Sequence, residues 1–132
     1  VALGQHVAAQ HAIEVSQRIA REHHFTSIQL EGHVVLAESA LDQGDRASAQ
    51  REYQHAVVIP LEPDSEEVGK FQRMAAQLAH SNGNIAQSVK LLVEVEALFE
   101  RLHNIPELER TRRIQSTLME ATVQEASRTR AR

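Results

Sequence analysis

Histidine is the side chain best suited to metal binding or proton transfer near neutral pH, and this 132-residue chain carries eight of them. Their spacing works against a shared centre. His6 and His11 are five apart and His23 and His24 are adjacent, so neither pair falls on one helical face. His11 and Glu14, three apart, can meet on one helical surface, but zinc takes three or four ligands and no third is in register. The pattern favours ordinary surface or half-buried histidines, with no metal and no cofactor expected. Glu31/Glu38 and Asp42/Asp45 are acid pairs without a companion nucleophile. Ser16, Ser39 and Ser65 read as interior, turn or cap residues, and the glycines occur singly, never as a phosphate-cradling run. Cysteine is absent, which excludes disulfides and thiol chemistry. No catalytic constellation is expected, and the chain reads as a non-enzyme.

The elements that must position these side chains are helices. The apolar share of 42% is carried by Ala, Leu, Val and Ile, with three Phe, one Tyr and no Trp. Small side chains suit close helix crossings, and five Gly with three Pro are too few for a loop-rich β chain. The first helix is expected from Gly4 to His23, on Val7, Ala8, His11, Ala12, Val15 and Ile19 at three-and-four spacing. Thr26 or Ser27 caps a second helix, which Gly44 ends by admitting a left-handed conformation. Asp45 caps a third helix running to Ile59, and Pro60 stops it. Asp64 or Ser65 starts a fourth, ending at Ser81-Asn82-Gly83. Asn84 caps a fifth, broken at His103-Asn104. A sixth runs on from Pro106 through Leu108, Ile114, Leu118, Ala121 and Val123, and residues Ser127 to Arg132 are expected to fray. The connection at residues 103–105 is the least tightly specified of the five.

Two of these hairpins repeat. Leu36-Ala37, Ala40, Gly44-Asp45, Ala49, Tyr53 and Ala56 recur 39 residues later as Ala75-Ala76, Ala79, Gly83-Asn84, Ser88, Leu92 and Val95. A helical hairpin recurring at fixed spacing marks a stacked solenoid. With His33 and Gln72 at the position of the usual large residue, the order resembles the tetratricopeptide repeat family, in an extended form similar to that of bacterial regulatory proteins. The resemblance implies an all-α, right-handed solenoid of about six antiparallel helices in a single domain. Residues 1–24 would be a partial repeat, 27–60 and 64–104 two hairpins, and 106–128 a terminal or capping helix. It also implies that Tyr53 plugs the first hairpin, and that His33 and His55 are partly buried.

What such a solenoid does is hold a partner. The resemblance places Glu31, Val34, Glu38, Leu41 and Asp42 on a concave face. Lys70, Arg73, Gln77, His80 and Ser81 follow, then Glu109, Arg112, Ser116 and Met119. Of these, Glu31, Val34, Glu38, Leu41, Lys70, Arg73, Gln77, His80 and Arg112 are the expected partner-binding set. The expected function is non-catalytic binding of a protein partner, as a peptide or helix, in a bacterial regulator or adaptor of the cytoplasm. One alternative is a structural spacer or homo-oligomer joined through the end helices, at Ile13 and Ile19 or Leu118 and Val123. The other is nucleic-acid contact by the C-terminal helix. Residues 108–132 hold six Arg against three Glu, a net +3, which leaves −7 over the preceding 107 residues. That overall charge argues against nucleic acid. No apolar run approaches the roughly 18–20 residues that cross a bilayer, and no basic start leads into an apolar stretch, so neither a membrane span nor a signal peptide is expected.

Overall fold

The structure, a computed structural model, describes residues 2–22 and 26–131, and the side chains at 7–19 and 26–130. The side chain of His6, and His23, His24 and Phe25 altogether, lie outside the described residues. The described residues form six helices: α1 (Ala2–Glu22), α2 (Thr26–Asp42), α3 (Arg46–Val57), α4 (Glu66–Ser81), α5 (Ile85–Arg101) and α6 (Ile105–Ala131). The fold is all-α. It divides into two compact units, one reaching to Glu62 and the other starting at Pro63. The division falls in the Pro60–Pro63 stretch, where two prolines deny the chain continuous helix. None of the six helices is long and apolar enough to cross a membrane.

In the first unit α2 packs against both α1 and α3. Leu30, Val34, Ala37 and Ala40 of α2 are buried, with Ala49 and Ala56 of α3. Four of these six are alanines, which let the helices approach closely. Tyr53 is only half-buried and does not plug the hairpin as expected. His55 is exposed rather than partly buried, and its ring stacks on that of His33 at 5.5 Å and 15°. His33 is half-buried, with Nδ1 2.6 Å from Glu52 Oε2. α3 stops at Val57, two residues before Ile59, because Pro60 disfavours helical geometry in the residue preceding it.

In the second unit α5 packs against α4 and α6, and α4 touches α6 lightly. Each helix in either unit thus packs on its neighbour in sequence, the order of contact typical of a helical solenoid. Val95 and Phe99 of α5 and Leu108 of α6 form a buried cluster. Gly69 opens the slot for the Phe99 ring, since a Cβ there would stand 2.5 Å from Phe99 Cζ. α6 continues to Ala131 where fraying was expected from Ser127. Arg128 and Arg130 in its last turn favour the negative end of the helix dipole.

Three connections share one geometry. Asp45, Asn84 and Asn104 each donate a backbone N–H to the carbonyl five residues back, on Ala40, Ala79 and Phe99, at 2.8, 2.8 and 3.0 Å. The residue before each has positive φ: Gly44 at 75°, Gly83 at 84° and His103 at 54°. Each Asp or Asn then caps the next helix, accepting from the amides of Ser48, Gln87 and Glu107 respectively. The α5–α6 connection is therefore as specified as the two glycine turns, with a histidine where they have glycine.

Candidate partner-binding site

The expected binding residues divide between the two units. In the first, Val34 is buried among the α2–α3 core residues, which corrects its expected place on an open face. Glu38 and Leu41 are half-buried. Glu31 is exposed and lines a cavity of about 390 Å³ between α1 and α2, together with Ile13, Ile28 and Val35.

In the second unit the larger correction is Arg73. It is 1% exposed and faces inward from α4. Its Nη2 lies 2.7 Å from Glu107 Oε2, while Nη1 donates to Thr111 Oγ1 at 3.1 Å and to the Glu107 carbonyl at 3.3 Å. That carboxylate oxygen is buried without an aligned hydrogen bond, so the contact with Arg73 is charge pairing at close range. The guanidinium also sits 5.7 Å from the centroid of the Phe99 ring. Arg73 is thus a buried tie among three helices and has no surface left for a partner. Lys70 pairs with Glu66 one turn back at 3.3 Å. Gln77 donates to the Arg73 carbonyl at 3.5 Å.

His80, two turns beyond Arg73 on α4, repeats the Arg73 arrangement. Thr111 donates its hydroxyl to the carbonyl of Glu107, and Thr122 donates its own to that of Leu118. Each of these Thr–carbonyl pairs on α6 meets a donor from α4. For the second, His80 Nε2 lies 2.9 Å from Thr122 Oγ1 and 3.2 Å from the Leu118 carbonyl. Because the Thr122 proton is committed to Leu118, Nε2 carries a hydrogen and donates it here.

Beside this clasp, a cavity of about 490 Å³ opens between α5, α6 and the end of α4. Ile85, Val89 and Val93, spaced four apart on α5, form one wall, with Leu92 beneath. Leu118 and Met119 of α6 form the other, and His80 and Arg112 both contribute. Val89, Val93 and Met119 are 56%, 59% and 67% exposed, so the trough presents aliphatic surface to water. His80, Arg112, Ser116 and Met119 of the expected concave face therefore do come together. The contribution of α5 was not expected there. Its signal was legible: residues 85, 89 and 93 extend the apolar stripe of 92, 95 and 99 farther round α5 than one neighbour can cover.

Arg112 is 54% exposed as a side chain; its Nη2 donates to Glu100 Oε1 at 3.1 Å, and Nε stands 4.0 Å from Glu96. Among the described residues no group of three His, Cys, Asp or Glu is placed to hold a metal. Compared with protein-family models, curated proteins and solved structures, the chain matches none.

Proposed function

We propose that this chain is a non-catalytic protein-binding module. It would hold a helix or peptide of its partner in the α5–α6 trough, as part of a bacterial regulatory or adaptor protein. The observation that carries this reading is a 490 Å³ opening walled by three aliphatic side chains more than half exposed. Exposed apolar surface gathered in one concavity, rather than scattered singly, is what binding sites have in common. The tetratricopeptide-like order of small residues and turns supports the same reading at the level of architecture, with antiparallel hairpins stacked in a right-handed solenoid. Capture from lysate with the chain and with its Val93→Glu/Met119→Glu variant tests it. Both positions are exposed, so the variant keeps its fold. A partner held by the parent and lost by the variant is the expected result; partners held equally by both would overturn the reading.

A second reading has its own observation. α1 leaves Val7, Ile13 and Ile19 exposed, and Ile13 lines the α1–α2 cavity. A homo-oligomer through this end helix would make sedimentation depend on concentration and on Ile13→Glu. Nucleic-acid contact by α6 is less favoured, since Arg112 is shared with Glu96 and Glu100.

A further inference from the structure

The turn between α4 and α5 contains the pair Asn82-Gly83. In such a pair the glycine nitrogen can attack the side-chain carbonyl carbon of the asparagine, since the glycine has no Cβ to obstruct the approach. The bond from Gly83 N to Asn82 Cγ forms and the bond from Cγ to the side-chain NH2 breaks. The Gly83 amide proton passes through solvent base to the departing NH2, which leaves as ammonia. The product is a five-membered succinimide, and water opens it at either carbonyl to give aspartate or isoaspartate. The other two asparagines, Asn84 and Asn104, each precede a β-branched isoleucine, which crowds the attacking nitrogen. Gln43-Gly44, the counterpart in the α2–α3 turn, would have to close a six-membered ring.

The folded turn keeps the reacting atoms apart. Asn82 is exposed, and among the described residues no hydrogen bond holds its side chain, so its carboxamide is open to attack. Ring closure requires the Gly83 nitrogen to eclipse Asn82 Cβ about the Cα–C bond. At ψ 3° it eclipses the backbone nitrogen of Asn82 instead, roughly a third of a turn away around the tetrahedral Cα. The Gly83 N–H is also committed to the His80 carbonyl at 3.0 Å, and the Asn84 N–H to that of Ala79 at 2.8 Å. Turning the Gly83 nitrogen onto the side chain breaks the first bond and carries Asn84 out of the second.

We propose that Asn82 is a deamidation site that the α4–α5 turn holds shut, so that opening of this turn exposes the chain to a one-way covalent change. Isoaspartate routes the main chain through the side-chain methylene and lengthens it by one carbon. The amides of residues 83 and 84 then no longer fall in register with the His80 and Ala79 carbonyls. The position matters because His80 and Ile85, on either side of the turn, both line the α5–α6 trough. The modified chain therefore has an altered trough at that end.

The test incubates the full chain in mildly alkaline buffer, folded and in guanidinium chloride, beside a synthetic peptide spanning residues 76–88. Mass spectrometry with electron-transfer fragmentation locates the conversion and separates aspartate from isoaspartate. The peptide and the unfolded chain should convert Asn82 roughly tenfold faster than the folded chain, or more, with Asn84 and Asn104 unchanged. Asn84→Ala removes the α5 cap without touching the reacting pair and should speed conversion in the folded chain roughly fivefold. Asn84→Ser, which keeps a capping oxygen, should restore the slow rate. Conversion of the folded chain at the rate of the peptide would overturn the proposal, because the turn would then protect nothing. An Asn82 that persists in the peptide and in the unfolded chain would overturn it by removing the chemistry. Folded Asn84→Ala converting no faster than the parent, or Asn84→Ser converting as fast as Asn84→Ala, would overturn the assignment of this turn as the gate.

Discussion

Replacing Arg73 with methionine keeps an unbranched apolar stem close to that of arginine and removes the guanidinium at its end. The structure allows the consequence to be worked through. Arg73 is 1% exposed, and its charge partner Glu107 retains 17% side-chain exposure. The substitution leaves the Glu107 carboxylate with a buried oxygen and no cation, and removes the donor to Thr111 and to the Glu107 carbonyl. Breaking one side of a buried pair costs about 3–5 kcal/mol. With a urea m-value of about 2 kcal/mol/M, a loss of about 4 kcal/mol moves the unfolding midpoint down by roughly 2 M. Removing both charges, as Arg73→Met with Glu107→Leu, should return most of that loss, because two desolvated charges are replaced by packed apolar groups. Urea unfolding followed by circular dichroism on the parent, both single variants and the double variant closes the cycle. The expected coupling exceeds about 2 kcal/mol. A double variant no more stable than the worse single one would refute the reasoning, as would a single Arg73→Met variant within about 0.5 kcal/mol of the parent.

Other positions carry further expectations. His103→Gly should stabilise the chain by about 1 kcal/mol, because it relieves a side chain at φ 54° in a turn whose two counterparts use glycine; an unchanged or lower midpoint in urea counts against this. Gly69→Ala should destabilise by about 1–2 kcal/mol despite the better helix propensity of alanine, since the new Cβ meets the Phe99 ring within 3 Å; a stabilised variant would show that the ring yields. Asn84→Ala should cost about 1 kcal/mol by removing the acceptor for the Gln87 amide, which the same unfolding measurement reads. The hydroxyl and then the amide of Ser48 hold the Asp45 carboxyl below the usual carboxylate range. A depressed value means that its contribution is complete above about pH 4 and is lost as pH falls through the lower folded value. Carboxyl carbon shifts of Asp45 followed through acid titration should show this low midpoint, and Asp45→Asn should keep the cap while removing that pH dependence.

The helices and most of their ends were readable because the signals are local. Gly44-Asp45 and Gly83-Asn84 combine a residue tolerant of positive φ with a side chain that caps the next helix, and the structure has both turns. The third turn was read as loose because His103 lacks the glycine signature, although Asn104 behind it is as good a cap as Asn84. Local backbone bonds, from the His103 N–H to Glu100 and the Asn104 N–H to Phe99, hold a histidine there in a conformation its own preference resists. Tyr53 shows the opposite failure: its place in the repeat implied burial, yet the α2–α3 core is filled by Leu30 and Val34 with Ala37, Ala40, Ala49 and Ala56, and the ring stays half-exposed.

Arg73 shows why the candidate site was harder to read than the fold. A charged residue in an amphipathic helix is ordinarily assigned to the solvent face, and the repeat pattern agreed in placing it on a binding surface. Its true surroundings depend on Glu107, Thr111 and Phe99, which lie 26 to 38 residues away and carry no local signal pointing back to α4. The distinction has an experimental consequence. Arg73→Glu would place two carboxylates together in a buried space, so loss of a partner in that variant would report unfolding rather than contact. Val93 and Met119 are the positions that can separate the two effects. They are exposed, belong to facing walls of one trough, and carry apolar side chains through which none of the bonds of the Arg73 tie or the His80 clasp runs. Charge introduced there alters what the trough can hold and leaves the Arg73 tie and the His80 clasp in place.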